Sequence, residues 1–282
     1  MTDTWQRSHS LTPDRRLEVL NLLNRTETLL GREAIDEGRR RIVVHGWRAE
    51  HWLQYHEGLL VKYAMATGTK NAIVEMSGGG IDEDLLQNLL KYHESLDWWT
   101  RGSMVPVHSQ CRVVRTLQLM QVALPVATVD VPEGATLRNY EPGRDEDAWL
   151  EQNNAAFADH PEQGAWLRSD LEERTSEPWF DPSGFLLLEI DGRLAASCWT
   201  KVHELHPDRF GEIYVVSVSP DFQGRNLGRV MVSQGLAALR KKGVASAVLF
   251  VEQSNAIAKK LYESIGFWVG REDILVRFTR AS

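Results

Sequence analysis

The chain has 282 residues, which at roughly 150 residues per domain predicts about two domains. Its 32 Lys and Arg against 39 Asp and Glu leave a formal charge of −7, and 43% of residues are hydrophobic. That is ordinary globular composition, which argues against a fibre, a disordered tail or a disulfide scaffold, and it offers no overall basic face to a nucleic acid.

The two cysteines, Cys111 and Cys198, form no C-x-x-C pair, and no His/Cys cluster has zinc-ligand spacing, so neither a disulfide nor a metal is expected. The first eleven residues are polar, and no run approaches the ~18 apolar residues of a membrane span, so a cytoplasmic protein with no membrane partner is expected.

In chain order, residues 11–27 read as a helix, 41–45 and 58–66 as strands, 71–76 as a short strand, 81–92 as a helix and 112–122 as a strand. Residues 123–133 carry Pro125 and Pro132, cannot be helical, and read as a linker or an edge strand. A boundary near Pro132 follows, giving units 1–130 and 131–282. In the second unit, 144–157 reads as a helix, and 184–190 and 194–202 read as strands joined by Asp191-Gly192, a hairpin pair tolerant of positive φ. Residues 212–218 form a β-branched and aromatic strand. Residues 228–242 form a helix with Met231, Ala238 and Leu239 as apolar positions and Gly243 as a stop. A strand at 247–251, a helix at 255–265 and a strand at 267–278 complete an antiparallel front passing into a β-α-β-α-β tail. The fold class is α/β with a mixed sheet, and the first half echoes the same order in pattern.

The sharpest local pattern is VVSVSPDFQGRNLGR, residues 215–229. A buried strand ends at Ser219-Pro220, and the turn Gln223-Gly224-Arg225-Asn226-Leu227-Gly228 opens a helix whose first N–H groups lack intrahelical partners and suit a pyrophosphate. This resembles the Gln/Arg-x-x-Gly-x-Gly/Ala loop of the GNAT acetyltransferases. Asn226 replaces the family's first glycine, and Asn is the substitute best suited to left-handed geometry. Downstream, NAIAKKLYESIGF, residues 255–267, resembles the N-x-x-A-x-x-x-Y-x-x-x-G-F element of the same superfamily.

The resemblance narrows further. Residues 153–157 (NNAAF), 160–164 (HPEQG), 179–182 (WFDP), 199–203 (WTKVH) and 211–216 (GEIYVV) resemble the mycothiol synthase family. Its members are tandem GNAT enzymes that acetylate the cysteine amine of cysteinyl-glucosaminyl-inositol, the final step of mycothiol biosynthesis. The resemblance is specific from about Asn153 to Phe267 and weak over the first 130 residues.

It implies acetyl-CoA as cosubstrate and a small-molecule amine as acceptor. The pantetheine arm would meet the backbone of Val216, Ser217 and Val218, and the pyrophosphate the loop Gln223, Gly224, Arg225, Asn226, Leu227, Gly228 and Arg229. Asn255, Ala256, Ile257, Ala258, Lys259 and Lys260 complete the cofactor side. Glu212 takes the role of base toward the attacking ammonium, and Tyr262 that of acid toward the departing thiolate. Glu37, Glu162, Lys201 and Glu212 contact the acceptor, and Phe250 stands where the family has a tyrosine. Cys198 has no recognisable base beside it and reads as a buried thiol, so transfer is direct. In the first unit, Ser77-Gly78-Gly79-Gly80-Ile81-Asp82-Glu83-Asp84 places carboxylates where a phosphate would go. A degenerate domain without acetyl-CoA is expected there, in a monomeric protein. Two alternatives stay open: a GNAT enzyme for another amine, such as an aminoglycoside or a protein N-terminus, or an acyl-CoA-binding sensor without turnover.

Overall fold

The computed structural model describes residues 4–30, 32–102, 111–158, 164–204 and 209–280. The first half runs β1 (Trp5–Ser8), α1 (Pro13–Leu30), α2 (Glu37–His45), β2 (Glu50–His56), β3 (Leu59–Thr67), β4 (Asn71–Met76), α3 (Glu83–Leu89), β5 (Ser95–Arg101) and β6 (Cys111–Ala123). The second runs β7 (Ala135–Asn139), α4 (Glu146–Ala156), α5 (Arg168–Thr175), β8 (Phe185–Ile190), β9 (Arg193–His203) and β10 (Phe210–Val218). It continues through α6 (Leu227–Lys241), β11 (Ser246–Glu252), α7 (Ala256–Ile265) and β12 (Trp268–Thr279).

Among the described residues, twelve strands join one mixed sheet in the order β1-β2-β3-β4-β5-β12-β6-β11-β10-β9-β8-β7. Pairing is antiparallel except for β4 with β5 and β10 with β11. The order is symmetric about the β12–β6 junction. The last strand of each half is inserted into the other half, β12 beside β5 and β6 beside β11. Val276 and Phe278 therefore belong to the core under α3, and Met120 and Val122 to the core under α6.

Strand alternation divides the second half into two layers. Trp199, Phe185, Leu187 and Val215 pack under α4 and α5 with Trp149 and Leu171, while Ala196, Cys198 and Ile213 pack under α6 with Met231, Leu236 and Leu239. Gly235 makes the second contact close: a Cβ there would lie 2.5 Å from Cys198 Sγ. Asp191 and Gly192, at φ 51° and 73°, turn the hairpin between β8 and β9, as that pair predicts.

One expectation fails. Residues 41–45, read as a strand, lie within α2, which Asp36 caps by accepting from Arg39 N at 2.9 Å and Gly46 ends at φ 70°. The β-branched Ile42-Val43-Val44 run suggests a strand, but the helix is fixed by its caps and by the burial of Val43 against α1 and β3 neighbours. The segment between β6 and β7 contains no regular element.

Candidate active site

β9, β10 and β11 form the floor of a cleft of about 1070 Å³ between the two halves. Glu212 lies directly across from Lys201 in the β10–β9 register, and His203 follows Lys201 on the same face. Tyr214, two residues on from Glu212, faces the same cleft by strand alternation, and the register shift between Ile213 and Val215 keeps Val215 on that side as well, against Trp199. Phe250 lines the far side from β11 and is 42% exposed.

The opposite wall comes from the first half. Glu37, in the first turn of α2, accepts from Lys201 Nζ at 2.9 Å and from Trp179 Nε1. Lys201 Nζ also lies 4.6 Å from the centroid of the Trp179 ring. The start of α2 is held by a buried carboxylate: Glu75 Oε2 accepts from Asp36 N at 2.7 Å and from Arg101 Nη2 at 2.9 Å. Burial pushes the Glu75 carboxyl up, although Arg101 and Arg39 pull the other way.

The floor is electrostatically coupled. Burial alone would raise the Glu212 carboxyl, but the hydrogen bond to His203, at 2.5 Å, and the charges of His203 and Lys201 outweigh it and hold the group below the ordinary glutamate value. Burial works against the Lys201 ammonium, and the surrounding carboxylates Glu212, Glu37 and Glu33 more than compensate, raising it. Glu33 keeps 34% of its side chain exposed at the cleft, where its enclosure raises the carboxyl against the pull of Lys201 and His203. A site with several carboxylates around one lysine suits a ligand that brings an ammonium and hydroxyl groups.

β10 and β11 share only two rungs, Gly211 with Ala247 and Glu212 with Val248. Beyond Glu212 the strands part, so alternate amides from Ile213 to Val218 face a gap in the sheet, and Val216, Ser217 and Val218 lie along it. β10 leads into a turn anchored by buried Phe222, beneath the guanidinium groups of Arg193 and Arg225. Asn226 stands at φ 60°, ψ 15° as the residue before α6 and makes no side-chain cap, and Gly224 has φ 77°. The first N–H groups of α6, at Leu227, Gly228 and Arg229, precede the first i to i−4 bond, made by Val230 to Asn226 O. Gly228 permits the approach of Leu261, which a Cβ would meet at 3.2 Å. Arg229 donates to Ser264 Oγ at 2.9 Å and Ser264 O at 3.2 Å, tying α6 to α7.

Asn255 caps α7 by accepting from Ala258 N at 3.0 Å, so Ala256, Ile257, Ala258, Lys259 and Lys260 open that helix, whose later residues Leu261 and Ser264 meet the start of α6. Tyr262 is buried on the α6–α7 side of the sheet near Phe267, and burial, with a smaller contribution from Cys198, pushes its phenol up to about 12. Cys198 is buried in the same core, and burial raises its thiol to about 12, which leaves it no nucleophilic thiolate.

Glu37, Lys201, Glu212 and Phe250 thus meet in one cleft, while Tyr262 lies on the opposite face, with the parted strands between. Glu162 lies outside the described residues. Sequence reasoning assigned no role to His203, Glu33, Tyr214 or Trp179. His203 was readable as the same-face neighbour of Lys201, whereas Glu33 sits in an irregular segment that carries no periodic signal.

A sequence model of the acetyltransferase (GNAT) family matches residues 147–267. A mycothiol acetyltransferase of Streptomyces griseus subsp. griseus is 38% identical over 92% of this chain and 90% of its own. A mycothiol acetyltransferase of Thermomonospora curvata is 50% identical over 60% of this chain, which spans 59% of that protein's length. Among solved structures, a tandem GNAT protein from the clavulanic acid biosynthesis pathway superposes with a TM-score of 0.69 at 12% identity, covering 99% of both chains, a likeness of fold.

Proposed function

The chain belongs to the mycothiol acetyltransferase family, and from that premise we propose that it transfers the acetyl group of acetyl-CoA to the cysteine amine of cysteinyl-glucosaminyl-inositol. The observation that carries the proposal is the position of Glu212. Its carboxylate stands in the acceptor cleft at the last rung shared by β10 and β11, where the sheet opens.

The residues present fit acetyl-CoA. The gap between β10 and β11 leaves amide donors without a strand partner, and the left-handed turn through Gly224 and Asn226 opens α6 without a carboxylate in its first turn. In this reading Val216, Ser217 and Val218 hold the pantetheine arm. The turn from Gln223 to Arg229 holds the pyrophosphate, with Asn255 to Lys260 alongside. Arg229 acts by tying the start of α6 to the end of α7 through its bonds to Ser264. The cosubstrate supplies an acetyl group already activated as a thioester.

On the acceptor side, Lys201 and Glu37 hold the polar groups of the pseudodisaccharide, Phe250 lies against its sugar, and Glu162 completes the acceptor contacts. Glu212, held ionised by His203 and Lys201, removes the proton that keeps the cysteinyl nitrogen from attacking. Unpaired amides of β10 donate to the carbonyl oxygen as negative charge develops on it. Tyr262, kept protonated by burial, gives its proton to the departing sulfur. Residues 131–282 carry the working site, and residues 1–130 supply its wall through Glu37 without binding acetyl-CoA. We place this activity in a cytoplasmic monomer.

The test is coenzyme A release from acetyl-CoA with and without the cysteinyl pseudodisaccharide, with the product identified by mass. Release that depends on the acceptor, with one acetyl group gained, is expected. Faster turnover of a peptide N-terminus or an aminoglycoside would replace the substrate, and acetyl-CoA binding without any turnover would leave a sensor.

A further inference from the structure

Glu212 does not stand alone at the base of the cleft. His203 Nε2 lies 2.5 Å from Glu212 Oε2, and the other ring nitrogen, Nδ1, lies 3.8 Å from Glu33 Oε1. The imidazole is stacked on Phe210, its cross-strand partner, at 4.7 Å and 12°, and only 9% of the side chain is exposed. Glu33 is 34% exposed. A row therefore runs from the buried carboxylate, through an imidazole whose plane is fixed, to a carboxylate that water reaches. The charged groups around the ring are Glu212 and Lys201 on the floor, Glu33 and Glu37 on the α2 side and, beyond Glu33, Arg101 of β5.

We propose that His203 is a positioning residue for Glu212 and that His203 and Glu33 together form the path by which the proton leaving the acceptor nitrogen reaches solvent. The inference rests on the reading of Glu212 as the base. One N–H bond of the acceptor ammonium breaks as an O–H bond forms on Glu212. With the ring in its Nδ1–H form, Nε2 is free to accept, and that proton passes to Nε2 while the proton on Nδ1 passes to Glu33, which releases it to water; the Nε2–H so formed then donates to the restored Glu212 carboxylate. The amine keeps its lone pair for attack, Glu212 returns to a carboxylate, nothing is oxidised or reduced, and exchange with water restores the starting tautomer. The 3.8 Å step is closed by a small rotation of Glu33 or by one bridging water. A donor needed only to orient Glu212 would use Nε2 alone. Here both nitrogens face carboxylates, and the outer one opens to solvent.

The experiment compares His203→Gln, which keeps an N–H donor but cannot relay a proton, with His203→Ala and Glu33→Gln in the full chain. His203→Gln is expected to lower kcat about 10- to 100-fold at neutral pH with the acceptor KM within about twofold. The loss should narrow as pH rises toward the range where the amine deprotonates by itself. Imidazole added to His203→Ala should restore part of kcat, and Glu33→Gln should show a smaller loss with the same pH trend. Wild-type kcat across the pH range in His203→Gln would overturn the path. So would a loss that neither pH nor imidazole relieves.

A second measurement needs no turnover. The His203 ring nitrogens, followed by NMR at one neutral pH, should shift in Glu212→Gln and in Glu33→Gln, Nε2 more in the first and Nδ1 more in the second, because each substitution changes the partner of one ring nitrogen. Insensitivity to Glu33→Gln would overturn the path even if Glu212 proves to be the base. A wild-type chain that releases no coenzyme A with the acceptor would overturn the base and the path together.

Discussion

The two halves use the same chain order to opposite ends, and the difference lies where β4 and β10 leave the sheet. β10 keeps two rungs with β11, carries a register shift against β9, and opens into a left-handed turn before a 15-residue helix. β4 keeps four rungs with β5, from Asn71–Ser95 to Val74–Trp98, pairs with β3 in unbroken register, and leads to a helix of 7 residues. At the start of that helix Asp82 accepts from Leu85 N at 3.0 Å and Trp5 Nε1 at 3.0 Å and from Lys62 Nζ at 2.6 Å. Its carboxylate occupies the donors and the positive end of the dipole that an anion would need. An open helix start beside a parted strand suits a ligand. The same architecture, capped by Asp82 and paired along twice as many rungs, serves as a wall.

Glu212→Gln is the strongest way to break this comparison, because it removes the one carboxylate at the opening of the second half while keeping its shape. We expect kcat/KM for the acceptor to fall about 100- to 1000-fold near neutral pH. The sign of the pH dependence follows from the lowered Glu212 carboxyl: the base is already ionised at neutral pH, so raising pH helps the variant by deprotonating the amine. A pH–rate profile of unchanged shape and height would remove Glu212 from proton transfer. Tyr262→Phe comes next. Its phenol is raised to about 12 and so stays protonated through the working range, and its loss should cost about 10- to 100-fold in kcat with acetyl-CoA affinity changed by less than about threefold. Equal losses in rate and affinity would make Tyr262 a packing residue.

Asp82→Ala probes the closed half. The cap and its two side-chain donors together should cost about 1–2 kcal/mol of stability on removal, read as a lower denaturation midpoint, with acetyl-CoA affinity within about twofold of wild type. Burial raises the Asp82 carboxyl, but Lys62, the Leu85 amide and Trp5 overcome it and hold the group below its ordinary value of 3.8. Its stabilisation is therefore fully present above that value and is lost as pH falls through the depressed folded value. The gap between wild type and Asp82→Ala should close on acidification. A new acetyl-CoA site in the variant would show that the carboxylate alone keeps the first half closed.

Much of this contrast was legible in the sequence because it rests on local chemistry. Asp191-Gly192 demands a tight hairpin, Asn226 tolerates positive φ, Asn255 caps, and Asp82 to Asp84 announce an acidic helix start. The exchange of β6 and β12 was not legible, since both strands are extended and nothing local says which neighbour each will choose. Ile42-Val43-Val44 misled because caps and tertiary burial override β propensity. In the site, Lys201 and Glu212 were found through a familiar word. The approach of Glu37 and Glu33 depends on how one half packs on the other, anchored by Glu75 and Arg101, and no periodicity encodes that.

The smallest effect sharpens the acceptor side of the open half. Phe250 on β11 lines the cleft with 42% of its surface exposed and carries no polar atom toward it. Phe250→Tyr adds one hydroxyl at a position where the ring already has room at the surface, so neither stability nor kcat should change appreciably. A hydroxyl that meets a sugar hydroxyl contributes about 0.5–1.5 kcal/mol, which corresponds to an acceptor KM lowered about two- to tenfold. Steady-state kinetics with the cysteinyl pseudodisaccharide, compared with a free cysteine amide lacking the sugars, separate the outcomes. A gain confined to the full acceptor places the sugar against β11. A gain for both would put the hydroxyl beside the amine instead, and a rise in KM would mean that the bare ring of Phe250 itself packs on the acceptor.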